Sequence, residues 1–216
     1  NNNKNSGGLK VYDVPAPQDW TFKDYNDGKK EVIHNYLKAN NANCVNVVSK
    51  GFPRYFEERG IDTSKWLFYP NGIDDLFLHE NISKININNP KITILYAGNI
   101  GHAQGLDKIV PHVAKKLEKK YRFVIIGDGS AREKLVASIK HNKIKNVTII
   151  DPVNRQELLS FYRQSDILFL HLDDIPAFKR VLPSKLFEYA AMGKPIITTD
   201  NVGCRDVVEN NINGYL

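Results

Sequence analysis

Short β-branched runs and longer helical patterns alternate along the chain from residue 91 onward. The predicted strands cover residues 92–97, 122–126, 147–150, 166–171 and 196–199, and the predicted helices cover 105–119, 131–140, 155–163 and 183–192. Strands that alternate with helices of roughly ten residues predict right-handed βαβ units and a parallel sheet. Pro111, inside the first of these helices, predicts a kink or a restart. The predicted fold class is therefore α/β, with a doubly wound, Rossmann-like parallel sheet.

Weaker patterns precede residue 91. They predict a helix over residues 27–41, a strand over 45–49, a helix over 53–59 and a strand over 65–69 that ends at the turn Pro70-Asn71-Gly72. The polar residues 1–8 predict disorder or a broken entry from an upstream segment, and the Asn-rich residues 79–90 predict a linker or a loose sheet edge. We therefore expect a partial domain over residues 1–74, a linker over 75–90 and a Rossmann-like domain over 91–216.

The composition is that of a globular chain with a real core. Of the 216 residues, 42% are hydrophobic and 25% are charged, and a chain of this length needs no disulfides to be stable. Cys44 and Cys204 are far apart and lack metal-ligand spacing, so free thiols in a reducing compartment are expected. The apolar runs are far shorter than the ~20 residues that span a bilayer.

The chain is basic, with a formal net charge of +6. Its densest cluster of lysines, at residues 115–120, is typical of the solvated face and end of a helix. No run of Lys and Arg is interleaved with aromatic residues, so a nucleic-acid partner is not expected. The charge is compatible with a phosphorylated ligand or with an anionic lipid surface.

Candidate binding residues follow the predicted strands at their carboxyl ends, where the ligands of parallel sheets bind. Residues 98–101 (GNIG) follow the first strand and residues 127–129 (GDG) follow the second, and glycines there let the backbone approach an anion. Residues 183–195 predict a helix that Pro-Ser opens and Gly-Lys-Pro ends, with Glu188 in its second turn. A helix N-terminus beside a carboxylate suits a phosphate and a sugar hydroxyl, which is the chemistry of nucleotide sugars.

Plainer interpretations stay open for these features. The glycine segments are also typical of tight turns, and Glu188 is also typical of a solvent-facing acid with Lys185 as its intrahelical partner. His102 and His171 are more typical of structural histidines, and no metal is expected at Asp173-Asp174 because no third ligand is visible. The glycine pattern is not GxGxxG and no acid ends the second strand, which argues against a dinucleotide enzyme.

Five motifs, in this order and spacing, resemble glycosyltransferase family 4. They are residues 96–101 (YAGNIG), 104–106 (QGL), 125–130 (IIGDGS), 165–167 (SDI) and 183–189 (PSKLFEY). The family consists of retaining enzymes of the GT-B fold, in which two Rossmann-like domains face each other across a cleft. The resemblance covers about residues 42–216, and residues 68–74 (FYPNGID) resemble the family's crossover between the two domains.

The resemblance implies that the C-terminal domain binds a nucleotide-sugar donor, with no resident cofactor and no metal. Glu188 matches the acid that accepts hydrogen bonds from the ribose, and Val153 matches the position whose backbone reads the base. The amides of Ser184 and Lys185 match those that meet the diphosphate at the helix start. The remaining donor-binding positions that the resemblance implies are Gly98, Asn99, Gly101, Gly127 and Arg180.

The sequence departs from the family pattern at three charged positions. Arg180 stands where the family commonly has the first of two glutamates eight residues apart, and Asn99 and Gln104 stand where many members have Arg and Lys. Lys185, Lys179 or Arg180 is expected to supply the lost positive charge. This pattern resembles the branch that builds bacterial surface polysaccharides, often from UDP-linked N-acetylated sugars.

The expected function is transfer of a sugar, with retention, from a UDP-linked nucleoside diphosphate sugar to a hydroxyl acceptor. The expected acceptor is lipid-linked or a polysaccharide, in surface polysaccharide or lipopolysaccharide synthesis. The expected location is cytoplasmic, at the inner face of the membrane, with peripheral membrane contact. Met192 is the only methionine and most of an acceptor domain is missing, so an inactive fragment carrying the donor half is expected, with catalytic residues unassigned. A GT-B-fold epimerase or phosphorylase and a non-catalytic nucleotide-sugar-binding module stay open as alternatives.

Overall fold

The computed structural model describes residues 11–13, 44–58, 60–78, 91–176 and 178–216. Its first sheet has three parallel strands in the order β1-β2-β3. The elements of this part are β1 (Val11–Asp13), β2 (Cys44–Val47), helix α1 (Phe52–Glu57) and β3 (Leu67–Phe68). The predictions for residues 1–8, 27–41 and 79–90 lie outside the described residues.

The second sheet has six parallel strands in the order β6-β5-β4-β7-β8-β9. Its strands are β4 (Ile92–Ala97), β5 (Tyr121–Ile126), β6 (Val147–Ile150), β7 (Ile167–Phe169), β8 (Ile196–Ile197) and β9 (Gly214–Tyr215). Its helices are α2 (Leu106–Lys116), α3 (Arg132–His141), α4 (Arg155–Gln164) and α5 (Lys185–Ala191). The strand order reverses between β4 and β7, which is the switch point where doubly wound sheets bind ligands. The predicted fold class is confirmed.

Helices cover both faces of the six-stranded sheet because its central strands are apolar on both sides. In β4, Leu95 belongs to one buried cluster with Tyr162 and Tyr189, which α4 and α5 contribute. Tyr96, one residue later, belongs to the other cluster with the buried residues of α2 and α3. This alternation follows from the two-residue period of a strand.

Residues 73–78 run into the same core. Phe77 lies in a 3₁₀ turn, is only 2% exposed and belongs to the cluster that contains Tyr162. The two rings are tilted against each other with centroids 5.9 Å apart. The segment that follows the three-stranded sheet is therefore anchored in the larger domain.

The boundaries differ from prediction at a few places. Helix α2 continues through Pro111 without a restart. Strand β7 ends at Phe169, two residues before the predicted end: the amide of Leu170 still donates to Ile197 O at 2.9 Å, but that of Leu172 donates to the side chain of Thr199 and that of Asp173 to Ala103 O. Strand β9 was not predicted, since two residues that include a glycine carry little strand signal. No helix in the described part of the chain is long and apolar enough to cross a bilayer.

Candidate functional site

Two glycine loops interlock at the carboxyl ends of β4 and β5. The amide of Gly98 donates to Ile126 O at 2.8 Å, that of Ile100 to Asp128 O at 2.7 Å, and that of Ala131 to Ile100 O at 2.9 Å. The loops therefore prolong the pairing of the two parallel strands beyond their ends. This fixes the backbone around residues 98–101 before any ligand arrives.

The loop contact requires glycine at position 127. Gly127 has φ +141°, a region that residues with a Cβ rarely adopt, and an added Cβ would overlap the carbonyl oxygen of Gly98. The sequence predicted a close approach of backbone to a ligand here. The structure shows a close approach between the two loops themselves, and the approach to a ligand stays a prediction.

The neutral side chains at the altered positions bond to one another. Gln104 Oε1 accepts from Gly101 N at 3.1 Å and from Asn99 Nδ2 at 3.3 Å. The hydroxyl of Tyr96 donates to Asn99 O at 2.6 Å, and burial raises the pKa of Tyr96, which keeps this donor protonated. Asn99 and Gln104 thus hold the shape of the loop and bring no charge to it.

Glu188 is held by a tyrosine that sequence reasoning missed. The hydroxyl of Tyr162, in α4, donates to Glu188 Oε2 at 3.0 Å. Tyr162 is buried, and burial raises its pKa, so the hydroxyl stays protonated and donates. One carboxylate oxygen of this half-buried acid is thereby fixed, and the acid still has acceptor capacity for a ligand. Nothing in the local sequence links two residues that are 26 positions apart.

The side chain of Lys185 lies across Gly98. Its Nζ is 3.0 Å from the position that a Cβ on Gly98 would take, which places the ammonium beside the first glycine loop. Burial lowers the pKa of Lys185, Glu188 opposes this effect and Arg155 adds to it. The amides of Ser184 and Lys185 come just before the first bonds of α5, which Leu186 and Phe187 donate to Pro183 O and Ser184 O, each at 3.1 Å.

An ion pair borders the site. Arg155 Nη1 contacts Asp74 Oδ2 at 2.7 Å and thereby joins the start of α4 to the segment before Phe77. Arg155 and Tyr162 are two helical turns apart, so they lie on one face of α4. Val153 is half-buried and leads into α4, whose first turn is capped by Asn154 accepting from the Glu157 amide at 2.9 Å. Arg155 carried no signal in the sequence, and Asp74 was visible only as the last residue of the motif at residues 68–74.

The side chain of Arg180 does not join the other predicted site residues. Its guanidinium carbon is 4.0 Å from the centroid of the Tyr55 ring, and its carbonyl accepts a hydrogen bond from the hydroxyl of Ser49. Both partners belong to the described residues before the larger domain. The structure thus brings Gly98, Asn99, Gly101, Gly127, Ser184, Lys185 and Glu188 to one edge of the sheet, with Val153 at the neighbouring strand end, and directs Arg180 toward α1.

The histidines and loop acids have partners of their own. His102 is exposed, whereas His171 Nδ1 lies 2.7 Å from Gln104 O and so braces the first glycine loop. Asp173 pairs with Lys108, and Asp174 Oδ1 is 3.0 Å from Lys179 Nζ. Within the described ranges, no three His, Cys, Asp or Glu side chains are grouped as metal ligands would be.

The fold and this edge of the sheet define a doubly wound α/β protein with a site at its topological switch point. The family of glycosyl transferases group 1 matches residues 79–216. The chain belongs to this family, and the resemblance to glycosyltransferase family 4 is confirmed.

Individual relatives agree with this assignment. The chain is 33% identical over 120 residues to a 2-deoxystreptamine N-acetyl-D-glucosaminyltransferase of Niallia circulans, over 54% of this chain and 30% of that protein. It is 25% identical over 170 residues to an α-1,4-N-acetyl-D-galactosaminyltransferase of Campylobacter jejuni named for a diphospho-undecaprenol-linked glycan, over 76% of this chain and 43% of that protein. The chain thus spans less than half of the curated relatives it matches.

Solved structures share the fold at low identity. The Anabaena protein HepE, in complex with UDP-glucose, superposes with a TM-score of 0.74 at 15% identity, over 95% of this chain and 57% of that chain. The lipopolysaccharide outer core galactosyltransferase WaaB, in its apo form, superposes with a TM-score of 0.61 at 22% identity, over 82% of this chain and 49% of that chain. At these identities the likeness is one of fold.

Proposed function

We propose that the chain carries the donor-binding half of a retaining glycosyltransferase that uses a nucleoside diphosphate sugar, UDP-linked. The observation that carries the proposal is the Glu188 carboxylate, oriented by Tyr162 at 3.0 Å, one turn after the Ser184 and Lys185 amides. A carboxylate accepts from vicinal ribose hydroxyls, and free amides and an ammonium stabilise a diphosphate leaving group. The family to which the chain belongs and the UDP-glucose complex of HepE support this assignment.

Each remaining residue has a proposed role in this reaction. Gly98, Asn99, Gly101 and Gly127 form the wall beside the diphosphate and the transferred sugar, and the Val153 backbone reads the base. Lys185 supplies the charge that neutral Asn99 and Gln104 do not, because its ammonium lies beside Gly98. Chemistry at the sugar carbon needs the negative charge on the departing diphosphate to be stabilised, and these groups do so without a metal ion.

The proposal also includes the acceptor and the division of the chain into domains. We assign residues 1–74 to an acceptor-side domain, 75–90 to the linker and 91–216 to the donor domain. The acceptor is a hydroxyl of a lipid-linked or polysaccharide chain in surface polysaccharide or lipopolysaccharide synthesis, and the Campylobacter jejuni relative with its diphospho-undecaprenol glycan supports this class. The 216-residue chain alone is expected to bind donor without transferring the sugar.

Calorimetric titration with UDP, GDP, ADP and dTDP tests the proposal. We expect one nucleotide, UDP, to bind, and Glu188→Ala to weaken binding by about 1.5–3 kcal/mol, or roughly 10- to 150-fold in Kd, because hydrogen bonds to a charged acceptor are lost. Glu209→Ala is the matched control, since Glu209 is exposed and lies near the amino end of β9, away from the site edge. Equal affinity of wild type and Glu188→Ala would remove Glu188 from the site.

A second candidate is a nucleotide-sugar-binding module without turnover. The observation that favours it is Arg180, which stacks on Tyr55 at 4.0 Å and stands where the family commonly has a glutamate. This candidate predicts nucleotide binding without sugar transfer even when the chain is supplied with a complete acceptor domain. Transfer by such a completed protein, followed by product analysis, would reject it.

A further inference from the structure

The lysines of the larger domain are unevenly distributed. Residues 112–122 and 138–146 contain eight Lys or Arg and one acid, a formal charge of +7 (eight minus one), against +6 for the whole chain. Seven of these cations are exposed lysines, which we call the basic face. They are Lys115, Lys116, Lys119, Lys120, Lys140, Lys143 and Lys145.

The two segments form one rigid surface. Buried Asn146, 6% exposed, donates through Nδ2 to Ala114 O and to Tyr121 O, each at 2.9 Å. Asn146 immediately precedes β6, and both of its acceptors belong to the segment 112–122. The basic face therefore sits at the amino ends of the neighbouring strands β5 and β6, on the edge of the sheet opposite the donor site.

Other exposed cations of the domain are neutralised locally, and those of the basic face are not. Lys108 pairs with Asp173, Lys134 with Asp107, and Arg205 with Asp200. Across the described residues, no lysine of the basic face has an ion-pair partner. Lysines near a helix C-terminus interact favourably with the helix dipole. This does not account for Lys119, Lys120, Lys143 and Lys145, which lie beyond the last residues of α2 and α3.

The basic face also contains a groove and an exposed apolar side chain. A groove of about 340 Å³ is lined by residues 115–121, at the lower end of the roughly 300–1,000 Å³ of small-molecule pockets. Ile92 is 41% exposed, and its amide donates to Lys120 O at 2.9 Å, which places an apolar side chain beside the lysines. Cations around an exposed aliphatic side chain suit a surface of phosphate headgroups over hydrocarbon.

We propose that the basic face docks the protein on an anionic phospholipid membrane. All seven cations are lysines. A lysine carries a flexible point charge, which suits a diffuse layer of headgroups, whereas specific contacts to bases typically use the planar, two-pronged guanidinium of arginine. Tyr121, the aromatic residue within these two segments apart from the histidines, is half-buried, so the face offers no stacking platform for single-stranded nucleic acid.

Docking on this face has a consequence for the acceptor. The six-residue strands β4 and β5 separate the two edges of the sheet by roughly 20 Å at about 3.3 Å per residue. The donor site then points away from the bilayer. This geometry suits a lipid-linked acceptor that already carries several sugars, so that its free end reaches the site.

Vesicle co-sedimentation of the 216-residue chain tests the docking. Wild type is expected to bind vesicles of phosphatidylcholine with about one third phosphatidylglycerol, to ignore pure phosphatidylcholine, and to dissociate at about 0.5 M salt. The variant with Lys119, Lys120, Lys143 and Lys145 changed to Gln should bind at least roughly 50-fold more weakly, since each lysine contributes up to about fivefold. The matched control changes Lys50, Arg54, Lys65 and Lys108 to Gln, which removes the same charge from exposed positions elsewhere.

The outcomes separate the alternatives. Failure of wild type to bind anionic vesicles, or equal losses in the two four-site variants, would overturn the proposal. Tighter binding to a single-stranded DNA oligonucleotide than to vesicles at the same salt, lost in the basic-face variant, would assign the face to nucleic acid instead. The double variant Lys119→Gln/Lys120→Gln, expected to lose about tenfold or more, serves if the larger variant misfolds. Vesicle binding needs no nucleotide, so its failure is distinct from failure of the proposed donor site.

Discussion

Replacing Gly127 by Ala tests the interlocked glycine loops. The new Cβ would overlap Gly98 O and lie 2.9 Å from Gly98 C, and the residue would have to keep φ +141°. Neither contact atom is the end of a flexible side chain, so the backbone of one loop must move. Overpacking costs about 1–3 kcal/mol, and a strained backbone conformation costs a further ~1–3 kcal/mol. We therefore expect Gly127→Ala to destabilise the domain by about 3–5 kcal/mol.

The measurement is urea unfolding followed by circular dichroism, in which the midpoint and the slope are fitted together. Two other glycines serve as controls. Gly72→Ala should stay within about 0.5 kcal/mol of wild type, because nothing lies within 4 Å of its Cβ position. Gly101→Ala should cost about 1 kcal/mol, since its nearest contacts are the side-chain amides of Asn99 and Gln104, which can shift.

A loss below about 1 kcal/mol for Gly127→Ala would refute this account of the loops. It would mean that the segments at residues 98–101 and 127–131 separate at little cost. The backbone around Gly98 would then be shaped by the ligand. In that case Gly127→Ala should alter nucleotide affinity more than it alters stability, which the titration described above measures directly.

Two further predictions concern the charged groups of the site. Burial lowers the pKa of Lys185 below its ordinary 10.5, whereas a bound diphosphate favours the ammonium. UDP affinity should therefore be flat near neutral pH and should fall as the pH rises through the lowered pKa of Lys185. In that pH range, binding of UDP should be accompanied by uptake of a proton. Lys185→Arg stays charged and should show a flat profile by calorimetry over the same range, and identical profiles for the two proteins would contradict this role. Tyr162→Phe removes the donor to Glu188 Oε2 and should weaken UDP binding severalfold, by about 0.5–1.5 kcal/mol, less than Glu188→Ala does. The double variant Tyr162→Phe/Glu188→Ala should bind no more weakly than Glu188→Ala; a fully additive loss would show that Tyr162 acts independently of the carboxylate.

The fold was predictable because its strands are strongly patterned. Strand β4 was predicted with its observed bounds, Ile92–Ala97, and β6 likewise as Val147–Ile150, since buried parallel strands are continuous apolar runs. Helix α5 begins at Lys185, two residues later than the predicted start at residue 183, because Pro183 and Ser184 supply the carbonyls of its first bonds.

The site was predictable only as far as local sequence describes it. Glycines at strand ends and the acid of α5 are visible as motifs, and the structure brings them to one edge. The partners of these groups are not visible, because Tyr162 is 26 residues from Glu188 and Tyr55 is 125 residues from Arg180. Contacts at such separations depend on the packing of helices against the sheet, which the residue types alone do not specify. Whether the predicted residues bind donor stays a prediction.

Two tyrosines connect the core to the site. Tyr162 orients Glu188 and packs edge to face on Tyr189, with ring centroids 5.4 Å apart. The hydroxyl of Tyr189 accepts from Ala97 N at 3.4 Å and donates to Phe169 O at 3.2 Å, so it joins the ends of β4 and β7 at the switch point. The position of the Glu188 carboxylate is therefore set by the same buried rings that hold the two central strands together.

The segment before residue 79 contributes to this arrangement. Phe77 packs on the ring of Tyr162, and Asp74 binds Arg155, on the face of α4 that carries Tyr162. Both contacts bear on the helix that positions Glu188, yet both residues precede the family match at residues 79–216. A unit that started at residue 79 would remove Phe77, one of the buried rings that pack on Tyr162, and would leave Arg155 without the Asp74 carboxylate. The segment that leads out of the smaller sheet therefore supports the proposed donor site through Asp74 and Phe77, although both residues precede the family match.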